Sequence, residues 1–263
     1  MQASLFPDEP ASAPAALSPQ GSSIKVSCAG WSLPRALWPE FPAAGTHLQR
    51  YAARFNAVEI NSSFYRPHQT ATYARWAATV PAHFRFSVKL PKTITHQQRL
   101  AGGVGLLDDF LAQTDGLGEK LGCLLVQLPP SLGFDAATAE EFLRDLRQRH
   151  AGPVALEPRH ASWFTAPVDA LLDAWQIARV LADPVVHEAG KKPGGVNSLV
   201  YVRLHGSPRM YYSAYEQGGL DALTLRLERM AATGASVWCV FDNTAEGAAI
   251  ENALYTVHAL DGR

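Results

Sequence analysis

Six polar side chains occupy equivalent places in this chain. Glu59, Lys89, Gln127, Glu157, Asp183 and Arg203 each stand at or near the end of a short apolar run. Carboxylates beside a lysine can exchange protons with a substrate as general acid and base. Lysine and arginine can hold a phosphate or carboxylate, arginine through a planar fork of donors and lysine as a compact point charge. Glu59, Lys89, Glu157, Asp183 and Arg203 are therefore the expected catalytic set. Ligand contacts are expected from Gln127 and from residues just past the runs: Asn61, Tyr65, Arg66, His96, Arg159, His160, His205, Asp242, Asn243 and Thr244.

Eight short runs must position these groups, and their composition predicts strands over 24–30, 57–61, 84–90, 121–128, 153–157, 177–183, 199–205 and 237–242. Helical patterns fall between most of them, over 46–55, 70–78, 106–117, 136–150, 167–175, 220–232 and 245–260. Leu220, Leu223, Leu227 and Met230 space one core-facing stripe on the sixth of these helices. The segment 184–198 is rich in Gly and Pro and reads as a loop. Asp135 or Thr138 is expected to cap the fourth helix and Thr244 the last. Strands alternating with helices imply βαβ units and a parallel sheet. Eight repeats in 263 residues fit one (β/α)8 TIM barrel, eight parallel strands inside an outer ring of helices, over residues 23–263. An open doubly wound sheet is the alternative, but no G-x-G-x-x-G or P-loop follows the first run.

Successive strand residues face opposite sides, so parity sorts the candidates. Phe84, Phe86, Val88 and Leu90 share one face of "FRFSVKL", and Ser87 and Lys89 the other. By the same rule Glu59 and Asn61 oppose Val58 and Ile60. Glu157 opposes Val154 and Leu156. Tyr201, Arg203 and His205 oppose Val200, Val202 and Leu204. The run "VWCVFDN" is apolar on both faces, so parity does not place Asp242. The polar set is expected to converge at the C-terminal ends of the strands, where barrels build their sites. The competing structural account is a salt-bridge plug, with Glu59, Glu157 and Asp183 neutralised by Lys89 and Arg203.

Several longer motifs stand in order along the chain: Gly30–Trp31, "VEINSSFYR" from Val58, "FSVKLPKTITH" from Phe86, "ALEPRHASWF" from Ala155, "LAD" from Leu181, "YVRLHG" from Tyr201 and "VFDNTAEGAAIENA" from Val240. In these the chain resembles the domain of unknown function 72 family, also called YecE-like, over nearly all of its length after residue 22. The resemblance implies a TIM-barrel fold and carries no agreed activity. "EPRH" at 157–160 departs from the family's pattern, which has Phe where Pro158 stands here.

The rim combines acids with donors, and this suits a metal-independent acid/base enzyme acting on a small anionic ligand, phosphate- or carboxylate-bearing, or a sugar-like one. "HGSPR" at 205–209 and "DNTAEG" at 242–247 are the loops that often form a phosphate site in barrels, with helix N–H groups as donors. A divalent metal held by the acids and histidines, hydrolysing phosphodiesters, is a second reading. It needs three ligands and an open position, and Lys89 and Arg203 would repel the cation. A third is binding without catalysis, possible for nucleic acid if Trp31, Tyr65, Trp163 and Tyr211–Tyr215 stack bases beside Arg66, Arg159 and Arg209. No redox cofactor is expected. No G-x-S-x-G elbow marks a serine nucleophile.

Composition narrows the classes further. Hydrophobic residues are 47% and charged ones 18%, and the net charge is −1, so no bulk pull toward nucleic acid or membrane is visible. Cys28, Cys123 and Cys239 show neither metal-ligand spacing nor an even count, which reads as reduced, strand-borne thiols and a cytoplasmic protein. Residues 1–22, rich in Ala, Pro and Ser, read as a disordered leader rather than a signal peptide. No apolar run reaches the 18 residues of a membrane span.

Overall fold

The computed structural model describes residues 24–262. The leader expected over residues 1–22 lies outside them. Ten strands and seven α-helices alternate: β1 (Ile24–Cys28), α1 (His47–Ala52), β2 (Ala57–Ile60), α2 (Thr70–Ala78), β3 (Arg85–Lys89), α3 (Val104–Thr114), β4 (Leu121–Gln127), α4 (Ala136–Arg149), β5 (Val154–Glu157), α5 (Ala166–Ala174), β6 (Ile177–Arg179), β7 (Leu181–Asp183), β8 (Gly194–Gly195), β9 (Leu199–Leu204), α6 (Gln217–Ala232), β10 (Ser236–Phe241) and α7 (Ala248–Asp261). The chain is thus a mixed α/β fold built on parallel sheets. No helix among the described residues is long and apolar enough to cross a membrane.

The hydrogen-bonded strands form two sheets, one in the order β1–β10–β9–β7 and one in the order β2–β3–β4–β5–β6–β8. This differs from the single closed ring of eight strands that the repeat count predicts. The separation has two local causes. Between β1 and β2 only one bridge is made, Ala29 with Glu59. The expected strand 177–183 divides, because Val180 N–H still donates to Leu156 in one sheet while Leu181 already pairs with Val202 in the other. Each half of that run therefore serves a different sheet. The segment read as a loop also yields β8, two glycines antiparallel to β6.

Two apolar layers flank the strands. The larger lies between strands and helices and includes Phe84, Phe86, Val88 and Leu90, all fully buried. Each such side chain contributes about 1.5–3 kcal/mol by leaving water. A smaller cluster fills the opposite strand face with Ala57, Cys123, Leu125, Ala155, Ala178, Tyr201, Trp238 and Val240. Tyr201 stacks on Trp238 there, ring centroids 5.9 Å apart. On α6, Leu220, Leu223 and Leu227 are buried as the stripe predicts, and Met230 packs at its margin. All three cysteines are buried and free of disulfides.

Two of the described α-helices start on a side-chain cap. Asp135 accepts from Thr138 N–H and caps α4. Thr46 and Gln49 form a capping box on α1. The expected cap of the last helix is wrong: α7 begins at Gly247, with φ +87° and no side-chain cap, while Thr244 is exposed. The glycine is required on two counts, since a Cβ there would sit in the left-handed region and 2.9 Å from Pro34 Cγ. The anion site imagined on a Thr244-capped helix therefore has no Thr244 hydroxyl in it.

Candidate functional site

Strand register explains which polar groups meet. Glu59 lies beside Ser87, Gln127 beside Glu157, and Val240 beside Arg203, so all face the smaller interior cluster. Asp242, one residue past β10, follows Val240 on that face, which settles the strand that sequence parity left open. Tyr201 marks the depth at which the interior changes from apolar to polar. Its hydroxyl donates to Glu59 Oε2 at 3.0 Å and meets Ser87 Oγ at 2.8 Å.

Above Tyr201 stands a buried ionic network centred on Arg203. Its Nε and Nη2 grip Glu59 in a two-pronged contact of 2.9 and 2.6 Å. Nη1 donates to Glu157 Oε2 at 3.0 Å, and Nη2 also lies 3.1 Å from Asp242 Oδ2. His205 spans the two remaining acids, with Nδ1 2.9 Å from Asp242 Oδ2 and Nε2 2.8 Å from Glu157 Oε1. Arg159 Nη2 reaches the same Glu157 oxygen at 2.8 Å and His205 Nε2 at 3.0 Å. Gln127 Nε2 completes Glu157 at 3.2 Å. His205 Nε2 thus faces an acceptor and a donor at once, so the ring is hydrogen-bonded with or without a proton there.

The charges shift one another. Burial alone would raise the Glu157 carboxyl, but Arg159, then Arg203 and His205, hold it well below the usual carboxylate range. Asp242 is likewise raised by burial and lowered more by Arg203 and His205. Burial works against the Arg203 cation, and Asp242, Glu59 and Glu157 push it well above the ordinary arginine value.

Lys89 stands outside this pairing. It closes β3, is 5% exposed, and its ammonium has no hydrogen-bond acceptor among the described residues; it rests 4.2 Å from the ring centroid of Phe64. Burial and then Arg203 lower its pKa to about 8, against a partial opposing pull from Glu59, Asp242 and Glu157. The acids do not take it up because their oxygens are committed: Glu59 and Glu157 have partners on both, and Asp242 on Oδ2. Asp242 Oδ1 is the remaining acceptor. A donor and an acceptor thus stand unmatched at the ends of β3 and β10.

Around them, His96 sits edge-on to the far side of Phe64, centroids 4.9 Å apart, and is lowered by burial, then by Lys89 and Arg159. Asn61 lines an open cleft of about 390 Å³ with Gly30, Trp31 and Ser62, and its Oδ1 has no partner. The remaining expected residues go elsewhere. Asp183 registers with Leu204, not Arg203, and so faces the helices, where its carboxylate accepts from Tyr215 at 2.8 Å. Asn243 joins that outer cluster through Ser213 and Asn252. His160 caps the short helix at 161–163. Tyr65 and Arg66 line a separate groove of about 230 Å³ with Pro91, Leu106 and Phe110. The expected convergence therefore holds for Glu59, Glu157 and Arg203, brings Lys89 to their edge, and leaves Asp183 out. The salt-bridge plug is real in part, but Arg159 pairs with Glu157 where Lys89 was expected to, and His205 hydrogen-bonds to Glu157 and Asp242.

Sequence reasoning left Tyr201, Ser87 and Phe64 out of the site. Parity did place Tyr201 and Ser87 inside; nothing in spacing pointed to Phe64. Of the expected base-stacking aromatics, Trp163 is buried with its N–H on Leu132 and Tyr215 is buried on Asp183, whereas Tyr65, Tyr211 and Tyr212 are exposed. No group of three or more His, Cys, Asp or Glu among the described residues could hold a metal ion. Ser62 Oγ lies 2.8 Å from His68 Nε2, but no carboxylate orients that imidazole.

Comparison with known proteins agrees on a family. The model of the protein family of unknown function DUF72 matches residues 25–263. The chain is 25% identical to UPF0759 protein YunF of Bacillus subtilis (strain 168), over 90% of this chain and 95% of that one. A 102-residue stretch, 38% of each chain, is 34% identical to UPF0759 protein YecE of Escherichia coli (strain K12). Crystal structures of DUF72 family proteins share the fold. That from Thermotoga maritima MSB8 superposes with TM-score 0.75 at 23% identity, covering 90% of this chain and 99% of that one. One from Enterococcus faecalis V583 gives 0.74 at 22%, covering 90% and 95%.

Proposed function

The chain belongs to the DUF72 family of proteins of unknown function, and we propose that it is an acid/base enzyme acting on a small ligand that carries a phosphate or carboxylate. Sugar-like ligands with such a group are included. The two sheets are read here as two arcs of one (β/α)8 barrel, which puts Lys89 and Asp242 at its C-terminal mouth. The observation that carries the reading is the unmatched pair. Among the described residues the Lys89 ammonium, largely buried, has no hydrogen-bond acceptor, and Asp242 Oδ1 has no donor. A buried charge without a partner is costly, so an anion that supplies one gains more than it would at a surface lysine.

In this reading Lys89 receives the anionic or polarised oxygen of the ligand. Asp242, tied through Oδ2 to Arg203 and His205, exchanges a proton through Oδ1. His205 holds Asp242 Oδ2 and Glu157 Oε1 in place, so that Oδ1 is the oxygen left to the ligand. Glu59 and Arg203 hold the frame. No step needs a redox cofactor. The metal-dependent phosphodiesterase reading would require the same carboxylates to leave Arg203, and nothing in the geometry favours it.

Calorimetric titration with inorganic phosphate and with oxalate tests the proposal. Saturable binding by the wild type, weakened at least tenfold in Lys89→Met with the fold retained by circular dichroism, is expected. Equal binding by the two proteins would remove Lys89 from the site.

A further inference from the structure

We propose that Lys89 is a nucleophile as well as an anion receptor, and that the ligand is an oxo acid whose carbonyl carbon it attacks to form an imine. The inference rests on the reading of Lys89 and Asp242 given above and names the substrate class for it. Its basis is the setting of one side chain. An ammonium wrapped by hydrogen bonds is a poor nucleophile, and the Lys89 nitrogen has none to break. The nitrogen rests 4.2 Å from the ring centroid of Phe64, and the charges of Glu59, Asp242 and Glu157 act on it. Desolvation together with a neighbouring cation is the usual physical means of keeping a lysine partly unprotonated at neutral pH, and both are present in burial and Arg203.

The reaction balances with these groups alone. The amine lone pair forms a C–N bond to the carbonyl carbon while the C–O π pair moves onto oxygen. Starting from the ammonium, nitrogen gives up two protons; they leave with that oxygen as water, and the positive charge ends on the iminium. Asp242, whose charge acts on Lys89 and whose Oδ1 has no donor among the described residues, carries the protons between nitrogen and oxygen. The iminium then draws electrons from the adjacent carbon, so a bond there can break with Asp242 as base. Arg159 is the further cation available to the acid group: it pairs with Glu157, and its Nε has no hydrogen-bond partner among the described residues.

Reductive trapping tests this. The full-length protein is treated with glyoxylate or pyruvate and sodium cyanoborohydride at pH 7, digested, and mapped by mass spectrometry. The expected result is a reduced adduct on Lys89 ahead of the other lysines. Its larger free-amine fraction favours it by roughly 300-fold over a lysine of ordinary pKa. Labelling should level off above about pH 8, the value at which Lys89 loses its proton. Acetate, which has no ketone or aldehyde, should compete without being trapped. Lys89→Arg, which keeps the charge and lacks the nucleophile, should lose the adduct at residue 89 without gaining one at another lysine. Labelling spread over exposed lysines with Lys89 spared overturns the imine. If phosphate binding still depends on Lys89, the anion site survives that result. If it does not, both readings fall together.

Discussion

Two buried polar clusters lie on opposite faces of the same strands, and they are built on different terms. The outer one joins Asp183, Tyr215, Asn243 and Asn252. Tyr215 O–H donates to Asp183 and receives Gly206 N–H, while Asn252 accepts Tyr215 N–H and donates to its carbonyl. These bonds fasten the loop after β9 to α7. Gly206 is required in that loop, since a Cβ at its φ of +90° would meet Ser213 O at 2.8 Å. The inner cluster is ionic, and it ends at the strand tips with one donor and one acceptor unmatched. The outer set ties a loop to a helix around a single carboxylate; the inner set gathers several acids and cations at the strand tips, where they can act on a ligand.

Breaking the centre of the inner cluster should give the largest effect. Arg203→Met would strand three buried carboxylates, and loss of one partner from such a pair costs about 3–5 kcal/mol. Urea denaturation should show at least that loss, or no folded protein. A loss below about 1 kcal/mol would mean that the acids are not held by Arg203.

Lys89 should behave in the opposite way. Its pKa falls from 10.5 unfolded to about 8 folded, so the unfolded chain holds the proton more tightly. The penalty is complete below about pH 8 and vanishes above 10.5, so stability rises with pH between them. At neutral pH the penalty is about 3 kcal/mol. Lys89→Met should therefore be more stable than wild type at pH 7, by up to that amount less the lost contact with Phe64. The gap should close as pH rises to 10. A variant less stable at pH 7, with no narrowing, would show that Lys89 is a structural cation.

The outer cluster should respond more weakly and without functional consequence. Tyr215→Phe removes one donor from Asp183 and an acceptor from Gly206, a cost of about 1–3 kcal/mol. Phosphate binding should be unchanged, measured by the same calorimetry. A loss of binding would put Asp183 back among the working residues.

How much of this could be read beforehand follows from what sequence carries. Strand parity found the interior set at Glu59, Lys89, Glu157 and Arg203, because a period of two is a property of the chain itself. It failed at Asp183. The expected strand 177–183 divides at Val180, and Asp183 is carried to the face of Leu204 by pairing with β9, a long-range contact without local signature. Asp242 was hidden for a related reason: Val237 through Phe241 are buried on both faces, so nothing alternates. Thr244 had the right residue type for a cap, but the turn needs a left-handed residue, and Gly247 supplies it. Pairing preferences were least legible. Arg159, which lies beyond its strand, and His205, which parity puts inside without naming its partners, meet the acids that Lys89 was expected to neutralise. Two separate sheets stand where the sequence predicts one ring, because repeats count strands and do not count the hydrogen bonds between them.

The claim on which the rest depends is that Lys89 is the spare cation of the interior. NMR titration of the protein with 13C-labelled lysine ε-carbons, the Lys89 resonance assigned by its absence from Lys89→Met, tests it directly. The account predicts a midpoint near 8 that moves upward when phosphate is added. A midpoint at the ordinary lysine value, unmoved by phosphate, would contradict it.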